Sequence, residues 1–136
     1  MVVHIGKHTA RIERDIIFFR IVSDLAMEEV QSYLKLAETI EAEYGYCFIV
    51  DDISALGSTP PAVRRTIVEW FGRHACSGAV LHGGSLTARA VATLVIGAMK
   101  ILGSQPCPIV FVHNEQEARD WVSKHRHNSN QHFQKA

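Results

Sequence analysis

The sequence predicts an α/β fold, a single domain with a mixed, mostly parallel β-sheet flanked by helices in the order ββαβαβαβα. Three observations support this class. After two opening strands, helix-like and strand-like stretches alternate along the chain. The stretch Cys47–Val50 is continuously apolar, which is typical of strands buried on both faces of a parallel sheet. With 136 residues, 47% of them hydrophobic, the chain can bury the core of one domain. We take 1–136 as that domain, with 126–136 as a frayed polar tail.

The strands are predicted from runs of bulky or alternating residues. His4–Arg14 has one solvated face and predicts a weak strand, whereas Ile16–Val22 is rich in β-branched and aromatic residues and predicts a strong one. The turn residue Asp15 lies between them, so the two segments predict an antiparallel hairpin. Two short apolar runs, Ala79–Leu81 and Pro108–Val112, predict further strands of the parallel part.

The first two helices are predicted from their ends as well as from their apolar spacing. Ser23 and Asp24 are N-cap candidates for the first helix, and Gly45 follows its last turn. The second helix has Thr59 as its predicted N-cap and Pro60 at its first helical position.

The last two helices differ in character. The third, Leu86–Leu102, is small or apolar almost all round, and this predicts burial on more than one side. The fourth starts after His113 and Asn114, has acidic residues in its first turn, and is predicted to run to about His125.

The overall composition argues against several classes of partner. Lys and Arg total 14, as do Asp and Glu, so no broad basic surface predicts nucleic-acid binding. No apolar segment is long and uninterrupted enough to predict stable membrane insertion. The cysteines show no CxxC spacing, and Cys47 and Cys107 are expected to be buried free thiols. The N-terminal stretch lacks the pattern of a signal peptide, so we expect a cytoplasmic protein. No cofactor is predicted.

Two stretches of the sequence carry a family resemblance. One is FIVDDISALGSTP, a strand that runs into two aspartates and a helix start, and the other is FVHNEQEARDWV, a strand that runs into an acidic helix start. Together with the order of the elements, they resemble the SpoIIAA-like branch of the STAS superfamily, also described as STAS/SEC14-like. The resemblance covers about Ile16 to Val122.

The resemblance implies a mixed sheet flanked by helices and a non-enzymatic bacterial regulatory role through protein contacts. In the antagonists of this superfamily, a partner kinase phosphorylates a serine in an Asp-Ser-Ser-Gly turn. Ser58 and Thr59 lie near that position, but the motif itself is absent. Other branches of the superfamily have been suggested to hold apolar or lipid-like ligands.

Ser58 and Thr59 are therefore the phosphoacceptor candidates. A phosphate there would add about −1.5 to −2 charge at a helix N-terminus. The alternative is that Thr59 is only an N-cap, and the residues favour it. Pro60 and Pro61 remove two amide donors that would otherwise hold a phosphate.

Asp51 and Asp52 follow a buried strand at the point where α/β folds place ligands. They are candidates for ligand binding, acid/base chemistry or metal binding. The alternative is that one caps a turn and the other is solvated, and strand-end aspartates commonly do this. No further carboxylate or histidine is spaced from them as a metal site requires, so no metal site and no catalytic group is predicted.

The segment His82, Gly83, Gly84 and Ser85, followed by Arg89, is the second ligand-binding candidate. A glycine-rich turn between strand and helix can present amides to an anion, and Arg89 could close over it. The alternative is a plain connection in which Ser85 caps the helix.

The apolar third helix predicts either a hydrophobic ligand cavity or a homodimer interface, with an ordinary core helix as the alternative. Our interpretation from the sequence is a non-enzymatic regulatory module that acts through an unknown protein partner, as a homodimer. The alternative is a carrier or sensor of a small apolar or anionic ligand. An enzyme is the least supported class.

Overall fold

Six strands pair in the order in which they occur along the chain, and the first two pairings are antiparallel while the last three are parallel. This is the arrangement in a computed structural model that describes residues 2–101 and 107–134. The strands are β1 Val2–Ile5, β2 His8–Glu13, β3 Ile16–Arg20, β4 Cys47–Asp52, β5 Cys76–His82 and β6 Ile109–Val112. The helices are α1 Met27–Tyr44, α2 Pro61–Phe71, α3 Leu86–Ile101 and α4 Glu115–Gln134. The predicted α/β class with a mostly parallel sheet is confirmed.

The order of strands determines where the helices lie. Helices α1, α2 and α3 each connect one parallel strand to the next, and the strands advance across the sheet in one direction. Because such crossovers are right-handed, they place all three helices on the same face. Helix α4 follows the last strand and packs on the opposite face, where Ala118 and Val122 join Phe48, Val50 and Val80 in a separate apolar cluster.

The predicted opening strand is in fact two strands. β1 and β2 form a tight antiparallel hairpin in which Ile5 pairs with His8, so the element order is βββαβαβαβα. Gly6 in the connecting turn has a φ of 60°, a conformation that favours glycine. The sequence prediction joined the two because it did not use Gly6 as a turn signal. The predicted hairpin around Asp15 is confirmed by β2 and β3.

Two predicted helix starts are displaced. α1 has Ala26 at its N-cap position, and the carboxylate of Glu29 accepts the Ala26 amide proton at 2.9 Å, so the prediction of Ser23 or Asp24 is wrong. α2 has Pro60 at its N-cap position and starts at Pro61, one residue later than predicted, so the prediction of Thr59 as its N-cap is wrong. The N-cap residue of each helix, Ala26 or Pro60, therefore has no hydroxyl or carboxylate with which to cap the helix.

Helices α3 and α4 also depart from the predictions. Leu86 and Leu94 of α3 are 89% and 63% exposed, so burial on more than one side is wrong. Among the α3 residues whose burial is described, Ala88 is buried and Ala92 and Ile96 are half-buried, and Leu102 lies outside the described residues. α4 runs to Gln134 instead of ending near His125, and Arg126 on it donates hydrogen bonds to the buried carboxylate of Asp15.

Candidate functional site

The two adjacent aspartates at the end of β4 lie on opposite faces of the sheet. Side chains alternate along a strand, and Asp51 shares its face with the buried Ile49 and Ile53 beneath α1, α2 and α3. Asp52 faces the other side, in register with Arg20 on β3 and His82 on β5. The sequence motif thus contributes to two separate sites.

A cavity of about 110 Å³ lies on the Asp51 face, between the sheet and the three crossover helices. An apolar cavity of about 150 Å³ in another protein is large enough to bind benzene. Among the described residues that line this one, only Tyr33, Asp51 and Thr59 have polar side chains. The apolar wall combines side chains from the strands and from each helix: Phe19, Ile49, Leu81, Leu34, Phe71 and Ile96.

Asp51 and Tyr33 form the polar part of this cavity wall. The Tyr33 hydroxyl donates a hydrogen bond to Oδ1 of Asp51 at 2.8 Å. The Tyr33 ring stacks on Phe19 with 4.0 Å between ring centroids, which holds the hydroxyl in place. Desolvation raises the pKa of Asp51 to about 7, with a smaller contribution from the negative charge of Asp52. Desolvation, and then the neighbouring Asp51 charge, raises the pKa of Tyr33 well above its usual value.

Thr59 and Ser58 lie at the entrance to α2 but in different environments. Thr59 is only 8% exposed and lines the cavity, while Ser58 is exposed. The backbone amide of Ser58 donates to Oδ1 of Asp24 at 2.7 Å. The Asp24 carboxylate therefore occupies the space beside Ser58 and would repel a phosphate there. Phosphorylation of either residue stays a prediction.

Asp52 behaves as an ordinary turn former. Its Oδ1 accepts hydrogen bonds from the Ser54 amide at 3.0 Å and from the Ser54 hydroxyl at 2.6 Å. Desolvation alone would raise the pKa of Asp52, but the two bonds from Ser54, with His82 and Arg20 nearby, lower it below its usual value. The Nε of Arg20 lies 4.0 Å from Oδ2 of Asp52.

His82 and Asp52 border a second, more polar cleft of about 260 Å³ on the α4 face. Two arginines and two acids line it, so their charges offset one another. Arg11 already pairs with Glu115 at 3.2 Å, which leaves Arg20 as the exposed cation among the described lining residues. No hydrogen bond between described residues joins Asp52 to His82, and the cleft therefore shows neither an acid/base pair nor a strong anion site.

The Gly83–Arg89 segment makes a close-packed connection between β5 and α3. A Cβ on Gly84 would lie 2.6 Å from Cδ1 of Ile53, so the two loops at this edge touch directly. The hydroxyl of Ser85 accepts the Ala88 amide proton at 3.2 Å, and the predicted helix cap is confirmed. Arg89 lies over the Phe111 ring, 5.5 Å from its centroid. These contacts favour the alternative interpretation, in which the segment connects β5 to α3 and Ser85 caps the helix.

The three cysteines, which are far apart in sequence, lie at the amino-terminal ends of the parallel strands, at the opposite end of these strands from Asp51. Cys47 pairs in register with Cys76, and the thiol of Cys76 donates to the backbone carbonyl of Gly78 at 3.4 Å. The neighbouring Cys107 and Cys47 thiols, and then desolvation, raise the pKa of Cys76 well above its usual value. Cys47 is buried as expected, whereas Cys107 is half-buried. Within the described ranges, no three His, Cys, Asp or Glu side chains are grouped as a metal site requires.

Tyr33 is the site residue that the sequence analysis missed. It belongs to the buried stripe of α1 together with Val30, Leu34 and Ala37, and the spacing of that stripe was visible. A tyrosine on a buried helix face needs a partner for its hydroxyl, and a strand ending in two aspartates offers one. That signal predicts a Tyr–Asp contact, although it does not say which aspartate is involved.

Comparisons with known proteins leave the family open. No protein-family model matches the chain, and no curated protein shows significant similarity to it. Over the parts of the chain that the structure describes, no helix is both long and apolar enough to cross a membrane. The resemblance to the SpoIIAA-like branch of the STAS superfamily stays a prediction.

Proposed function

We propose that this protein binds a small, mainly apolar molecule in the cavity between the sheet and helices α1, α2 and α3, as a carrier or sensor. The observation that carries the proposal is the cavity itself, a space of about 110 Å³ whose described wall is apolar apart from Thr59 and the hydrogen-bonded pair Tyr33 and Asp51. Ligand sites in proteins are commonly concave and apolar with a few placed polar groups. α3 contributes Ala92 and Ile96 to the wall, in keeping with the expectation that this helix borders a hydrophobic site.

The apolar ligand is favoured over the anionic one by the charges at the two sites. The cavity contains a carboxyl group, Asp51, and no described basic side chain lines it. The polar cleft has Arg20 as its exposed cation, but Asp52 and Glu115 are also in its wall. An anion would meet negative charge at either place. Catalysis forms no part of the proposal, because neither aspartate is hydrogen-bonded to a described histidine.

The test is toluene binding measured by thermal unfolding and by NMR titration. A ligand that binds only the folded state stabilises it by about 2.7 kcal/mol at a hundredfold excess over its Kd. We expect toluene to raise Tm and to shift resonances of cavity residues. Ala92→Ile should abolish both effects, because the larger side chain fills the cavity.

The matched control is Ala90→Ile, the same change on the exposed side of α3. It alters the helix propensity equally but leaves the cavity unfilled, so toluene binding should persist. Two results would show that the cavity is not a ligand site. One is that toluene binds neither the wild type nor Ala90→Ile. The other is that toluene binds Ala92→Ile as tightly as it binds the wild type.

A second candidate function is regulation through protein contacts by a homodimer, as the family resemblance implies. The observation in its favour is the exposure of Leu86 and Leu94 on α3, since exposed apolar surface often marks an interface. Sedimentation equilibrium is the test. Leu94→Lys should convert a dimer to a monomer, whereas Tyr44→Lys, a change of an exposed aromatic on α1, should not. A monomeric wild type would remove the homodimer.

A further inference from the structure

Two of the three polar side chains that line the cavity, Tyr33 and ionised Asp51, present a ligand with hydrogen-bond acceptors rather than donors. The third is the hydroxyl of Thr59. The single hydroxyl proton of Tyr33 is used in its bond to Oδ1 of Asp51. The phenol oxygen therefore keeps only its lone pairs for other partners. That bond is also the one described hydrogen bond of the Asp51 carboxyl group, so Oδ2 remains available to a ligand.

No described cation offsets the Asp51 charge. Asp51 takes part in no described ion pair, and the adjacent charge is the like charge of Asp52. The groups that act on Asp51 are Tyr33 from α1 and Asp52 from β4 itself, and those that act on Tyr33 include the thiols of Cys47 and Cys76. A desolvated carboxylate in such surroundings lacks a positive partner, and a ligand that supplies one would gain a charge-assisted hydrogen bond.

We infer that the ligand of this cavity is a small apolar molecule with a hydrogen-bond-donating head group, best a protonated amine, that bonds to Asp51. The inference rests on the proposed function, since it concerns the same cavity. The apolar walls receive a body no larger than one six-membered ring, because this cavity is smaller than the one of about 150 Å³ that binds benzene. The head group meets the Asp51 carboxylate beside the Tyr33 hydroxyl.

The experiment compares three probes of similar shape: toluene, benzyl alcohol and benzylamine. Their affinities are measured by isothermal titration calorimetry at about pH 8, where most Asp51 is ionised because its pKa is about 7. We expect benzylamine to bind at least about tenfold more tightly than toluene, with benzyl alcohol between them. In Asp51→Asn the advantage of benzylamine should disappear while toluene binding persists.

Asp52→Asn is the matched control, because it makes the same chemical change one residue later on the other face of the sheet. It should leave the order of affinities as in the wild type. Equal affinities for toluene and benzylamine in the wild type would overturn the inference and leave the proposed function standing. Failure of all three probes to bind would overturn both.

A measurement on the wild type keeps the inference testable if Asp51→Asn does not fold. The affinity for benzylamine should rise about fivefold or more from about pH 6 to about pH 8 as Asp51 becomes ionised. The affinity for toluene should not rise over the same range. A benzylamine affinity that is flat with pH would contradict the role given to Asp51.

Discussion

The two faces of the sheet are packed differently. On the α4 face, Phe48 is fully buried against Tyr46 and Trp121, and Arg119 bonds to Glu13 at 2.8 Å to tie the helix to β2. On the other face, three helices cover the sheet and leave a cavity with a carboxyl group in its wall. The α4 face is close-packed around Phe48 and has its polar cleft beside Asp52, whereas the unfilled space on the other face is apolar and is where an apolar ligand can bind.

The aspartate pair shows the difference at the scale of one residue. Burial raises the pKa of Asp51, while bonds from Ser54 hold the pKa of Asp52 below its usual value. Neighbours in sequence thus differ because the strand directs one into an apolar cavity and the other towards polar partners. A doublet of acids at a strand end should be considered one residue at a time.

The largest effect should come from truncation on the close-packed face. Phe48→Ala removes a fully buried ring and should lower the free energy of unfolding by about 3–5 kcal/mol, because the surrounding side chains cannot fill the space. Urea denaturation followed by circular dichroism measures it. Val2→Ala, at a side chain that is 55% exposed, is the control and should change stability by less than about 0.5 kcal/mol. A cost below about 1 kcal/mol for Phe48→Ala would show that this face is loosely packed.

A sharper comparison adds atoms to two neighbours on β5. A Cβ on Gly78 would lie 2.4 Å from the Trp121 ring, so Gly78→Ala should destabilise the fold by about 2 kcal/mol. Ala79 lines the cavity, and Ala79→Val should be neutral or stabilise by up to about 1 kcal/mol, since there is room for the extra methyl groups. Chemical denaturation of both variants decides the matter. Equal costs would mean that the two faces are packed alike.

The smallest expected effect concerns pH. Because the pKa of Asp51 is raised in the folded state, that state binds more protons than the unfolded chain between about pH 4 and pH 7, and stability falls as pH rises through this range. Asp51→Asn removes this loss. Relative to the wild type, it should become more stable by about 1 kcal/mol from pH 5 to pH 8, a discounted figure because water in the cavity reduces the penalty.

Asp52→Asn provides the opposite sign in the same experiment. The pKa of Asp52 is lowered in the folded state, so its ionised form stabilises the fold, and that contribution is lost as pH falls towards the acidic range. Urea unfolding at several pH values should therefore show that the variant is destabilised most, relative to the wild type, near neutral pH. If both variants follow the same pH trend, the difference between the faces is not electrostatic.

The sequence carries the fold class well, because its signals are local. The apolar β4, the amphipathic α1 and α2 and the cap at Ser85 all follow from short-range chemistry, and the structure contains each of them. The split of the first strand was missed at Gly6, where a single residue decides the turn. The exposure of Leu86 and Leu94 was not predicted, because apolar composition alone does not determine which side of a helix is covered.

The site was only half accessible from the sequence. Period-two alternation already implies that Asp51 and Asp52 point to opposite faces. Which face holds a cavity depends on how side chains from four strands and three helices fill a shared volume, and no local pattern encodes that. The Tyr33–Asp51 contact lies between these cases, because its chemistry is visible in the sequence and its geometry is not.

The sequential order of the six strands has a consequence for how the chain folds. Each strand pairs with the one before it, so no strand has to be inserted between two that are already paired. The sheet can grow from the N-terminal hairpins outwards as the chain leaves the ribosome, with each loop closure spanning one helix. Loss of the edge strand β6 would leave the pairings between the earlier strands complete, but it would also remove α4, which covers Phe48 on the other face of the sheet.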